Sequence, residues 1–173
     1  MTASLLRPRR RSGGAAGAEP PDPDTLEATA VLLASEDRAI PKQAVDLAAR
    51  IARRTGATVH VFTIARIWGT TFGFPNPGLF PSRREWAQQH SNVEKAIERL
   101  ARKGVQADGR VVGTRAGAKR IVKEAERLGC DAIVMGADPA RGRVAGNFMW
   151  SQEPYRVRRR AAVPVYLVVG DRR

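Results

Sequence analysis

Ala118-Lys-Arg-Ile-Val-Lys-Glu-Ala-Glu-Arg-Leu-Gly129, followed at once by Cys130-Asp-Ala-Ile-Val-Met135, contains a helix, a stop and a strand in one short stretch. Ala118, Ile121, Val122, Ala125 and Leu128 recur at helical spacing and give the helix one apolar stripe. Gly129 tolerates the left-handed conformation that ends a helix, and Arg127 beside it complements the negative end of the helix dipole. Ala132 to Met135 are apolar without alternation, as expected of a strand covered on both faces.

The same unit occurs twice upstream. Ala44, Val45, Leu47, Ala48, Ile51 and Ala52 close at Gly56 and lead into Thr58–Ile64, while Val93, Ile97, Leu100 and Ala101 close at Gly104 and lead into Val105–Val112. With Ala28–Ser35 as the first strand and Val163–Val169 as the last, the expectation is five strands alternating with about four helices. That rhythm predicts an α/β fold with a doubly wound parallel sheet and right-handed crossovers. The periods are unequal, so the recurrence is not a solenoid repeat.

The chain has 173 residues, enough for one domain with a buried core. Hydrophobic residues make up 43% and charged residues 27%, which excludes wholesale disorder. Lys and Arg number 30 against 17 Asp and Glu, a net charge of +13 that suits anionic partners such as a nucleotide or an acidic protein. Many of the arginines fall on predicted helices, where a solvated face accounts for them. The single cysteine, Cys130, excludes an internal disulfide framework. No apolar run approaches the ~20 residues of a membrane span, and the start lacks the apolar segment of a secretory signal. A soluble, cytoplasmic protein without a membrane partner is expected. Residues 1–26, with Arg7, Arg9, Arg10 and Arg11 and then Gly- and Pro-rich sequence, read as a disordered basic tail. Residues 27–170 read as the α/β domain, and 171–173 as a short extension.

Open parallel sheets bind ligands beyond the carboxyl ends of their strands, where the strand order reverses. The segments placed there are Ala34-Ser35-Glu36-Asp37, the chain after Ile64, and Met135-Gly136 onward. Trp68-Gly-Thr-Thr-Phe72-Gly-Phe74-Pro-Asn-Pro-Gly-Leu-Phe80-Pro81 leaves the second strand. Its Gly and Pro content forbids regular structure, and its aromatics make it too apolar for a free linker, so an ordered flap is expected.

At these residues the chain resembles the universal stress protein family, over about residues 28–170. The resemblance is carried by Val31-Leu-Leu-Ala34 with an acidic residue after it, Ala44-Val-Asp-Leu-Ala48, Ala57-Thr-Val-His-Val61, Cys130-Asp-Ala-Ile-Val-Met-Gly136 and Ala162-Val-Pro-Val-Tyr-Leu-Val-Val169. It implies a Rossmann-like fold of the adenine nucleotide alpha hydrolase type. It further implies ATP or a related adenine nucleotide as ligand, with Mg only as the nucleotide's companion, and a homodimer formed along Val163–Val169. Nucleotide-binding members hold adenosine with an Asp at the end of the first strand, and that position is Glu36 here. They hold the phosphates with Gly-x-x-Gly, about nine residues, and Gly-Ser or Gly-Thr. Here Gly136 is the first glycine, Gly142 the second after a longer spacing, and Ser151-Gln152 stands at the closing pair. Phe148, Met149 and Trp150 crowd the middle. Asp138 and Glu153 oppose a phosphate, Arg141 and Arg143 favour one, and Ser151 serves equally as a plain helix N-cap.

Other residues carry less. His60 reads as a packed strand residue, and His90 lies in a polar helix beside Gln88 and Gln89, so no metal site is expected. Cys130 opens a buried strand and reads as an inert thiol. No catalytic constellation appears and no enzyme activity is expected. Arg156, Arg158, Arg159 and Arg160 crowd the last helix, either as a solvated face or as a rim that attracts anions. Trp68 and Trp150 stand near the expected crevice, where stacking on a nucleoside is open to them. Three functions follow: a stress-associated regulatory protein that binds a nucleotide without turnover, a ligand-free interaction module of the same fold, and weak nucleic-acid association through the tail and last helix.

Overall fold

The computed structural model describes residues 19–67, 80–137 and 153–169. Five strands and four helices alternate: β1 Ala30–Glu36, α1 Lys42–Thr55, β2 Thr58–Arg66, α2 Arg83–Arg102, β3 Ala107–Thr114, α3 Gly117–Leu128, β4 Ala132–Ala137, α4 Glu153–Arg160 and β5 Val165–Val169. The sheet order is β3-β2-β1-β4-β5 with every pair parallel, so the order reverses between β1 and β4.

β1 shows why its sequence is apolar throughout. Val31 and Leu33 face the cluster formed with α1 and α2, whereas Leu32 and Ala34 face the cluster formed with α3 and α4. All four are completely buried. A strand with a core on each face has no polar side. Phe62 and Ile64 of β2 and Ile133 and Met135 of β4 fill the α3–α4 side, and Val59, Val61 and Val134 fill the other.

The helix stops fall where the sequence puts them. Gly56 and Gly129 have φ of 73° and 64°, and each returns its N–H to the last turn of its helix. A β-carbon would strain that left-handed conformation. α2 opens with a full capping box, in which the Glu85 N–H donates to Ser82 Oγ and the Ser82 N–H donates to the Glu85 carboxylate.

Strand boundaries differ from the sequence expectation, β1 running from Ala30 to Glu36 where the sequence predicts Ala28–Ser35. β3 begins at Ala107, not Val105, because the end of α2 runs on: the Val105 N–H bonds Leu100 O at 3.0 Å, and Val105 is buried as a plug in the core. β2 continues past Ile64 to Arg66, paired with β3 up to Arg66 and Thr114, which carries Arg66 to the carboxyl edge of the sheet. β5 begins at Val165. Pro164 has no N–H to give, although its carbonyl accepts from the Ile133 N–H at 2.9 Å.

Within the segment read as a tail, residues 1–18 lie outside the described residues. Asp22–Thr25 make a turn and Leu26 is buried against α1. Arg50 pairs with Asp24 at 3.2 Å and Arg54 with Glu27 at 3.1 Å, and Arg54 also bonds the Leu26 carbonyl. On α3 the buried Glu124 carboxylate gathers Arg127 at 2.6 Å, Arg120 at 3.4 Å and Arg110 of β3 at 3.6 Å. Some of the arginine excess is thus bound to the protein's own carboxylates. Among the described residues no helix is long and apolar enough to cross a membrane.

Candidate functional site

The reversal between β1 and β4 brings together the carboxyl ends of three strands. Ala34 stands opposite Met135, and Glu36 opposite Ile64. Ala34, Ile64 and Met135 are buried in the α3–α4 core, directly beneath this edge. Ser35 is nearly buried and its Oγ donates to the Arg38 carbonyl at 3.0 Å, which tightens the turn leaving β1.

Glu36 is the unusual residue. Its side chain is 7% exposed and turned toward the amino end of α3. A β-carbon on Gly117, the first residue of α3, would fall 2.5 Å from the Glu36 carboxyl carbon, so glycine is what allows the two elements to meet. Neither carboxyl oxygen has a hydrogen-bond partner among the described residues, and Arg66 Nη1 stands 3.7 Å from Oε1. Burial pushes the Glu36 pKa up to about 7. The Glu153 carboxylate adds to the rise, Arg66 opposes it, Asp37 contributes a smaller rise and Arg156 a smaller opposition.

Glu153 explains how α3 begins without a cap of its own. Ala116 occupies the N-cap position and offers no side-chain acceptor. Glu153, the nearly buried first residue of α4, supplies one: its Oε2 accepts the Ala118 N–H at 3.1 Å, while Oε1 accepts from Arg156 at 2.6 Å. A carboxylate at a helix N-terminus satisfies free backbone donors and the positive end of the dipole.

Asp37 follows in a left-handed conformation, φ 51°, the one non-glycine residue with positive φ among those described. Its N–H continues the β1–β2 ladder to the Ile64 carbonyl at 3.0 Å. Asp tolerates that region better than most residues. Burial raises the Asp37 pKa, Glu85 adds to the rise, and Arg66 opposes it. From α2, Gln89 Nε2 lies 3.5 Å from Asp37 Oδ1, and Asn92 Nδ2 donates to the Arg38 carbonyl at 3.3 Å. Pro41, at the start of α1, covers Gly136: a β-carbon there would fall 2.5 Å from Pro41 Cγ.

Ala34, Ser35, Glu36, Ile64, Met135 and Gly136 are therefore brought together at one edge. Arg141, Gly142, Arg143, Ser151 and Gln152, and the flap residues Trp68, Phe72, Phe74 and Trp150, lie outside the described residues. Neither Arg66 nor Pro41 was marked by sequence pattern as part of this edge. Gly117 carried a faint signal, a glycine between two alanines just where a helix should begin. His60 lies away from the crevice, at the amino-end half of β2, bonded through Nδ1 to Asp108 at 2.8 Å. Among the described residues no group of three His, Cys, Asp or Glu side chains is placed to hold a metal ion.

A family model described as the universal stress protein family matches residues 28–169. Among solved structures, a universal stress protein in complex with cAMP is 22% identical, with TM-score 0.61 over 84% of this chain and 100% of the other. The universal stress protein UspA from Lactobacillus plantarum is 17% identical, with TM-score 0.62 over 83% and 99%. The universal stress protein from Archaeoglobus fulgidus in complex with dAMP is 17% identical, with TM-score 0.58 over 80% and 96%. No match is found among curated proteins.

Proposed function

The chain belongs to the universal stress protein family, and from that premise we propose that it is a regulatory protein whose β1–β4 crevice binds an adenine nucleotide and signals by conformation, without turnover. The observation that carries this is the gathering of Glu36, Asp37 and Gly136 where the strand order reverses, the place at which open parallel sheets take their ligands. Carboxylates there suit the hydroxyls of a ribose. The solved relatives in complex with cAMP and dAMP lend it support. Binding at this edge would bear on β1, α3 and α4 together, because Glu36 touches Gly117 and Glu153 ties α4 to α3.

One observation favours a second reading, a ligand-free interaction module. The Glu36 carboxyl is closed over Gly117, not held out to solvent. Calorimetric titration of the full chain with ATP, ADP and AMP separates the two. Saturable heat with any of them, lost in Glu36→Ala, supports the nucleotide site. No heat at millimolar concentration of all three rejects it and leaves the interaction module.

A further inference from the structure

We propose a second binding site, separate from the crevice: a cleft between the carboxyl ends of α3 and α4 takes a small apolar amine. The cleft encloses about 410 Å³ and lies beside the start of β4, at the other end of that strand from Gly136. That volume falls in the range of small-molecule pockets.

The cleft follows from residue size. α3 stops at Gly129, and α4 passes into β5 through Ala161, Ala162 and Val163. The space between these ends is lined by small residues, Ala125 and Gly129 on one side and Ala161 and Ala162 on the other. Val122, Ile133 and Val163 make the rest of the wall apolar. The Cys130 thiol also lines it and, pushed up to about 12 by burial, stays neutral.

Charge selects the ligand. The charged groups in the lining are the carboxylates of Glu126 and Asp131, and among the described residues no lysine or arginine lines the cleft, in a chain that has 30 of them. Glu126 is exposed in the last turn of α3. Asp131 is fixed in place: its Oδ2 accepts from the Thr29 N–H at 2.6 Å, the Thr29 hydroxyl at 2.9 Å and the Ala30 N–H at 3.3 Å. Arg127 is paired with Glu124 at 2.6 Å, and Arg158, Arg159 and Arg160 occupy the last turn of α4 without lining the cleft. The negative ends of the α3 and α4 dipoles add to the two carboxylates. An apolar body is buried against the wall while an ammonium group stays at the carboxylates, partly hydrated. An anion of the same shape meets only like charge.

The test is calorimetry of the full chain with phenethylamine, phenethyl alcohol and hydrocinnamate, which share one apolar body and differ in the charge of the head. The expected result is saturable binding in that order of affinity, with the amine about tenfold tighter than hydrocinnamate. Two variants at exposed positions locate the site, with thermal unfolding to establish that each is folded. Ala162→Leu, which narrows the cleft, should weaken all three ligands about tenfold. Glu126→Gln should weaken only the amine, toward the affinity of the alcohol. An amine no tighter than hydrocinnamate overturns the proposal, as does absence of binding at tens of millimolar. Wild-type affinities in Ala162→Leu put the ligands elsewhere and overturn it too. If either variant fails to fold, raising ionic strength on the wild type must weaken the amine toward the alcohol, and an unchanged ratio overturns the proposal.

Discussion

Glu36 and Gly117 are fitted to each other: the carboxyl group at the end of β1 occupies the space that a side chain on the first residue of α3 would need. Sheet and helix meet there through a buried acid and a missing β-carbon. Gly117 has an ordinary backbone, so helix propensity alone favours alanine at this position.

The first prediction sets these two effects against each other. Gly117→Ala is expected to lower stability by about 1 kcal/mol, because displacing the Glu36 carboxyl outweighs the gain in propensity. In the background of Glu36→Ala the same substitution should become neutral or stabilising. Urea denaturation of the two single variants and the double variant forms the cycle, and additive effects would show that the two residues do not touch.

The second concerns pH. The Glu36 carboxyl titrates near 4.5 as an ordinary glutamate and at about 7 in the fold. Between those values the folded protein holds a proton that the unfolded chain releases. The contribution of Glu36 to stability is therefore fully present below about 4.5 and lost as pH rises through 7. Glu36→Gln should match the wild type near pH 5 and exceed it near pH 8, by on the order of 2 kcal/mol. Equal differences at the two pH values would place the titration elsewhere.

The fold was legible because its signals are local. The stripe Ala118, Ile121, Val122, Ala125 and the stop at Gly129 lie within a few residues of one another, and β1 and β4 announce two covered faces by their unbroken apolar runs. The candidate site was legible only in outline. That Glu36 and Gly136 share an edge follows from strand order, but the direction of the Glu36 side chain does not. It is set by Gly117, Arg66 and Glu153, which are brought to it by α3, β2 and α4 from distant parts of the chain. Val105 shows the same limit at smaller scale. It is a good strand residue by propensity, yet its N–H is taken by the end of α2.

A third prediction follows from burial at the opposite end of β4. Cys130 is 6% exposed, and burial, with Asp131 and Asp108 nearby, pushes its thiol up to about 12. Thiolate is the reactive form, so at pH 8 the native protein should react with a thiol reagent far more slowly than the same chain in urea. Equal rates in the two states would mean that the amino end of β4 opens readily.

The fourth prediction concerns assembly, and here the sheet order supplies the physical motive. β5 is an edge strand, five residues long, with Leu167 and Val168 only partly buried and Val169 48% exposed. An apolar edge offers unpaired N–H and C=O groups, and natural proteins blunt such edges with charge or cover them with another chain. No charge interrupts Val165–Val169. A second copy pairing along this edge would satisfy the backbone groups and cover Val169 in one step. Sedimentation equilibrium should therefore find a dimer at micromolar concentration, and Val169→Lys should shift it to monomer while leaving thermal stability of the isolated fold nearly unchanged. A wild-type protein that stays monomeric to hundreds of micromolar would reject the edge as an interface. A Val169→Lys variant that remains as dimeric as the wild type would move the interface to another surface.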